Sequence, residues 1–257
     1  GQETFSATNA LGTGPFKITL REPNTKTVFK KNGKWWGNVE HNITEIQLLP
    51  IKNAATRVAA LLSGEIDLVT DAPVQDLNRI SSSGGHKVES TPQMRTIFLG
   101  MDQKADKLRT GNTGDNPFKK KEVRQALYQA IDIEAIKKKV MRGLSEPAGI
   151  ITFPGVTGYT KALDKRLPYD VDAAKKLLAD AGYPNGFDVE LRCPNDRYVN
   201  DEAICTAVVG MFGKIGVNVN LFAQTKSKHF KELKDNQGDF YMLGWGVPTL
   251  DSHYVFH

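Results

Sequence analysis

Histidines, cysteines and paired carboxylates are the residues of this 257-residue chain whose types most readily do chemistry. His41, His86, His229, His253 and His257 are scattered, and only His253 and His257 share a helical spacing. They lack the H-E-x-x-H context in which a glutamate serves as base beside a zinc-bound water, so no metal site is expected. No G-x-S-x-G elbow is present to expose a serine nucleophile. Gly12-Thr13-Gly14 is followed by no Lys-Ser/Thr pair and opens no helix, so it cradles neither a triphosphate nor a dinucleotide. Glu65 and Asp67 sit at ordinary element ends, and with 29 acidic residues such pairs arise by chance. No catalytic residue and no cofactor are expected: the chain does not read as an enzyme.

Cys193 and Cys205 lie twelve apart, outside any CxxC pair and without neighbouring zinc ligands at suitable spacing. Two readings stay open. They are two buried thiols, or one disulfide that ties a strand end to the helix after it, and an oxidising compartment would favour the bridge.

The elements that would carry these residues alternate between helix and strand. Gly12 to Pro15 is a turn into a strand from Phe16 to Leu20, and Asn32-Gly33 carries a hairpin signal. Ile43 to Pro50 reads as a strand. Asn53 then caps a helix whose stripe is Val58, Leu61 and Leu62, with Gly64 as terminator. Ile66 to Val69 reads as a short strand, Val74 to Ser82 as a helix, and Arg95 to Met101 as a strand. After a turn-rich excursion from Ala105 to Pro117, Val123, Leu127, Ala130 and Ile131 recur at helical spacing. Asp132 and Asp170 cap two further helices, closed by Gly143 and Gly182. Val189, Leu191 and Cys193 alternate with Glu190 and Arg192 as in a half-buried strand, and Val217, Val219 and Leu221 repeat the pattern. A helix from Ala203 to Ile215 separates them, and a helix near Phe230 precedes a strand from Asp239 to Trp245. A composition break near Gln93 marks the best internal boundary.

Hydrophobic residues make up 40% of the chain and charged residues 25%, enough apolar material for a proper core. The net charge of +5 is spread along the chain. Its densest patches, Lys119 to Lys121 and Lys137 to Lys139, lie in helical patterns without the interleaved aromatics of a nucleic-acid surface. No apolar run reaches the roughly 18 residues of a membrane span. Gly1 to Ala10 lack the features of a secretory signal, which fits a cytoplasmic protein or one trimmed from a longer precursor. The aromatic finish, Tyr254-Val255-Phe256-His257, reads as the edge of a fragment.

Whole phrases are more specific than any triplet. In order they are Gly12-Thr13-Gly14-Pro15-Phe16, Ile43-Thr44-Glu45-Ile46, and Arg57-Val58-Ala59-Ala60-Leu61-Leu62-Ser63-Gly64-Glu65-Ile66-Asp67. Asn116-Pro117-Phe118, Val123-Arg124-Gln125-Ala126-Leu127 and Ala130-Ile131-Asp132 come next. Ala174-Lys175-Lys176-Leu177-Leu178 and Ala181-Gly182-Tyr183-Pro184 close the series. In this order the chain resembles the extracytoplasmic solute-binding proteins of dipeptide, oligopeptide and nickel ABC importers, from Leu11 onward. That resemblance implies an α/β, two-lobed periplasmic-binding-protein-like fold, present only in part, in which ligand binds between lobes and favours closure. Residues 1–93 would belong to the first lobe and 94–257 would form most of the second.

The resemblance also assigns roles. Arg197, in Cys193-Pro194-Asn195-Asp196-Arg197-Tyr198, occupies a loop where peptide-binding relatives hold the ligand carboxylate with an arginine, a fork suited to two parallel bonds. Asn195 shares the loop, and Tyr198 either walls the pocket or covers the core. Trp245, before Gly246, matches a cleft tryptophan, though an ordinary core aromatic reads as well. Peptide binders carry an aspartate three residues after this tryptophan to meet the ligand's free amine. Here Pro248 stands there, which argues against a free-amine peptide, and Asp251 would serve only in a differently shaped loop. The implied function is capture of a peptide or other small polar solute for the membrane permease subunits of an ABC importer. The protein would act outside the cytoplasm, as a monomer at full length, with no signal peptide in this sequence. A ligand-sensing receptor module on the same fold is the alternative, with a hydrolase a distant third.

Overall fold

The structure, a computed structural model, describes residues 10–256, so residues 1–9 and His257 of the histidine pair lie outside it. The chain divides into two compact units between Ala59 and Ala60, inside a helix.

In the first unit β1 (Phe16–Glu22), β2 (Lys26–Lys31) and β3 (Glu45–Leu48) form an antiparallel sheet in that order. Pro23-Asn24-Thr25 makes the tight turn between β1 and β2, and Thr25 N–H donates to Glu22 O at 3.1 Å. Asn24 adopts φ 62°, a region that asparagine tolerates better than most residues. The turn expected at Asn32-Gly33 is also present, with Trp35 N–H donating to Asn32 O at 3.0 Å, but the strands that flank it are joined by a long loop. Asn32 is claimed by the Gly12–Pro15 turn: its N–H donates to Pro15 O at 2.7 Å, and Trp35 Nε1 reaches Thr13 O at 2.8 Å. Residues 32–44 become a long connection to β3.

Helix α1 (Ala54–Leu62) begins as its sequence predicts. Asn53 Oδ1 accepts the Thr56 N–H at 2.9 Å, and Gly64, at φ 78°, ends the helix in the left-handed region. Ile66 to Val69 form no strand, because among the described residues no ladder partner lies alongside to take their backbone groups. Helix α2 is shorter than expected, Leu77–Ser82.

The second unit is built on a four-stranded sheet ordered β4-β7-β5-β6: β4 (Thr96–Met101), β5 (Asp188–Pro194), β6 (Asn218–Gln224) and β7 (Phe240–Trp245). β5 runs parallel to β6 and to β7, and β4 runs antiparallel to β7. Parallel neighbours need crossover helices. These are α6 (Asp201–Gly213), between β5 and β6, and α7 (Lys226–Lys234), between β6 and β7. Before the parallel strands come α3 (Lys121–Ala130), α4 (Ile133–Ala135, continued by one π turn over Ile136–Val140) and α5 (Val171–Asp180). Asp132 and Asp170 accept the N–H of Ala135 and Ala173, each at 2.9 Å, so both predicted caps hold.

The apolar stripes of α3 and α5 bury Val123, Leu127, Ala174 and Leu178 against the sheet side chains Val189 and Leu191. Each fully buried large apolar side chain contributes about 1.5–3 kcal/mol. Phe240 anchors the centre, 5.4 Å from Phe118 and 5.9 Å from Phe212 between ring centroids. The lysine runs serve the protein itself. Lys120 Nζ donates to Ala181 O at 2.9 Å while lying over the Tyr183 ring, and Lys137 pairs with Glu146 at 3.0 Å.

Candidate functional site at the carboxyl edge of the sheet

Because β5, β6 and β7 are parallel, the chain leaves all three at one edge of the sheet. β5 leads to β6 on one side, and β7 then lies on β5's other side, so the strand order reverses between β5 and β7. In open sheets of this kind, that reversal leaves a crevice outside the carboxyl ends of the strands. Two loops emerge there: 195–200 after β5 and 246–252 after β7. β4 runs the opposite way and begins at the same edge, with Thr96 opposite Trp245.

The first loop is held by its backbone. Asn195 N–H donates to Gln224 O at 2.9 Å, and the Asp196 carboxylate accepts the Lys226 N–H at the start of α7. Asp201, buried in the first turn of α6, accepts N–H bonds from Arg197 and Tyr198 on one oxygen, both at 2.9 Å. Its other oxygen takes the Glu202 N–H at 3.0 Å. Burial pushes the Asp201 pKa upward, with these three donors pulling against it. Asn200 adopts φ 55° and donates from Nδ2 to Val140 O at 2.9 Å. Cys193 and Cys205 are joined in a disulfide, closing a ring around the whole loop. Of the two readings of the cysteines, the bridge is the one found.

One bond joins this loop to β7. Gly244 N–H donates to Tyr198 Oη at 2.7 Å. Any side chain at position 244 would collide with the Tyr198 ring and with Ile97, since a Cβ there would lie 2.7 and 2.6 Å from their nearest atoms. Glycine is what lets the tyrosine lie against the strand. Tyr198 also packs against the core. The Arg197 guanidinium stands over that ring, 5.0 Å from its centroid. Trp245, one residue on from Gly244, is 38% exposed, which removes it from the core. Its ring lies 6.1 Å from that of Tyr254 in the short helix α8 (His253–Phe256).

The second loop is tied to a neighbouring segment. Thr157 N–H donates to Leu250 O at 2.8 Å, and Ser252 N–H to Thr157 O at 3.0 Å. Leu250 takes φ 54°, a costly conformation for a leucine. Asp251 is exposed, and one of its oxygens accepts the His253 N–H at 2.9 Å. Gly246 passes close to the Met94 carbonyl, 3.2 Å from where a Cβ would stand. The family model of bacterial extracellular solute-binding proteins, family 5 Middle, matches residues 1–257. The chain belongs to that family.

Its relatives include heme-binding protein A of Haemophilus influenzae, 27% identical over 248 residues, or 94% of this chain and 42% of the relative. The dipeptide-binding protein of Escherichia coli is 25% identical over 251 residues, 96% of this chain and 45% of its own. Among solved structures, the ABC transporter-associated periplasmic binding protein DppA from Helicobacter pylori, in complex with peptide STSA, matches with a TM-score of 0.79. It is 25% identical and covers 92% of this chain and 43% of that one. This family 5 chain thus spans less than half the length of these relatives, and its mixed α/β architecture is that of the periplasmic binding proteins.

Within this family 5 chain, Asn195, Arg197 and Tyr198 lie on the loop after β5, Gly246 and Asp251 on the loop after β7, and Trp245 ends β7 at the same sheet edge. Two further residues lie there with no local sequence signal to mark them: Tyr254, whose ring is beside Trp245, and Arg95, which the antiparallel pairing of β4 with β7 brings to this edge.

Proposed function

We propose that the chain is the ligand-capturing part of a substrate-binding protein serving an ABC importer. It takes a peptide or other small polar solute at the carboxyl edge of the sheet and passes it to membrane permease subunits, without catalysing a reaction. Arg197 holds an acidic group of the ligand, Tyr198 and Trp245 wall it, and Asn195, Gly246 and Asp251 supply polar contacts from the two loops. Residues 1–93 are assigned to the first lobe and 94–257 to most of the second. The full-length protein is proposed to work as an extracytoplasmic monomer. The disulfide supports that location, since such bonds persist in oxidising compartments.

The observation that carries the reading is the bond between Tyr198 Oη and Gly244 N–H, which brings the arginine-bearing loop against the tryptophan-bearing strand. Solutes released from the purified full-length protein are to be identified by mass spectrometry, then titrated back calorimetrically. Arg197→Ala removes a charge-assisted contact of about 1.5–3 kcal/mol, so affinity falls roughly tenfold to a hundredfold with no change in fold. Unchanged affinity, or turnover of the solute, contradicts the proposal.

A further inference from the structure

Two guanidinium groups, not one, converge on Tyr198. Arg95 Cζ lies 5.8 Å from the centroid of the ring that Arg197 approaches to 5.0 Å, so their separation is capped by the sum of those distances. Neither arginine forms an ion pair among the described residues; Arg95 has only a 3.5 Å side-chain contact with Gln93 Oε1. Arg109 and Arg192 are different. Arg109 is paired with Asp102 and Asp239, and Arg192 with Glu190 and Glu232. The acids beside Tyr198 in the same loop and helix start accept backbone N–H groups, Asp201 from three and Asp196 from Lys226.

Two like charges held near one ring repel each other, and an anion placed between them relieves that repulsion. A ligand with one acidic group satisfies one guanidinium and leaves the other unanswered. A ligand with two satisfies both. The Tyr198 ring is locked by its bond to Gly244, and a guanidinium resting on an aromatic face is partly ordered before the ligand arrives.

We propose that Arg95 is a specificity-determining residue which, together with Arg197, selects solutes bearing two acidic groups. This rests on the reading of the carboxyl edge as the ligand site. It also fits the absence of an aspartate at Pro248, since a dianionic ligand without a free amine needs no carboxylate to meet it.

The test uses the full-length protein and two matched probes, N-acetyl-Leu-Glu and N-acetyl-Leu-Gln, which differ by a single acidic group. Calorimetric titration of the wild type is expected to show the glutamate peptide binding at least tenfold more tightly. Arg95→Gln abolishes that preference and leaves the affinity for the glutamine peptide unchanged, whereas Arg197→Gln weakens both. Equal binding of the two peptides to the wild type, or an equal loss of both in Arg95→Gln, overturns the role of Arg95 and leaves the site standing. If neither peptide binds the wild type, the selection for two acidic groups is likewise overturned, whereas the site itself falls only if Arg197→Ala leaves binding of the co-purified solute unchanged, so the two failures are separable.

Discussion

Gly244 shows what a single missing side chain secures. Its N–H meets the Tyr198 hydroxyl, and its bare Cα leaves room for the ring. Gly244→Ala would push a methyl into Tyr198 and Ile97, an overpacking that costs about 1–3 kcal/mol. Lower melting temperature and weaker solute binding are expected together, because the ring that supports Arg197 is displaced. Calorimetry on the variant checks both, and unchanged binding would separate Tyr198 from the site. At this scale the sequence was informative about residue types but silent about partners. Arg197 was found through its phrase, whereas nothing local to Arg95 marks it. Its position depends on a strand pairing between residues nearly 150 apart in the chain.

The elements were legible where a local signal and the core agreed. Alternation in β5 places Val189, Leu191 and Cys193 inside, as the pattern predicts, and the aspartate caps of α4 and α5 hold. Departures came where two local signals competed or where a strand needed a neighbour. Asn32-Gly33 makes the expected turn but opens a long connection to β3, while the tight hairpin turn falls at Asn24. Ile66 to Val69 have strand-like residues and no ladder to join. The loop between β5 and α6 is the element on which the site depends, and the disulfide spans it. Closing a ring with a sequence separation of 12 removes unfolded-state entropy worth about 3 kcal/mol. The double variant Cys193→Ser, Cys205→Ser is therefore expected to lose stability of that order in denaturant titration and to bind solute more weakly. A variant as stable as the wild type would show that the bridge contributes nothing to holding the loop.

Across the whole molecule, the reversal of strand order between β5 and β7 places two loops distant in sequence at one sheet edge. Family membership was legible from phrases spread along the chain, since many weak matches in a fixed order are jointly specific. The ligand was not legible, because its recognition depends on a few side chains whose meeting is set by strand order rather than by neighbours in the sequence. A crystal structure of the full-length protein with its co-purified solute tests the central claim most directly. The account predicts an acidic group of the solute within hydrogen-bonding distance of Arg197, roughly 2.7–2.9 Å, with Trp245 against its body. A solute seated on another surface, with both loops facing water, would contradict it.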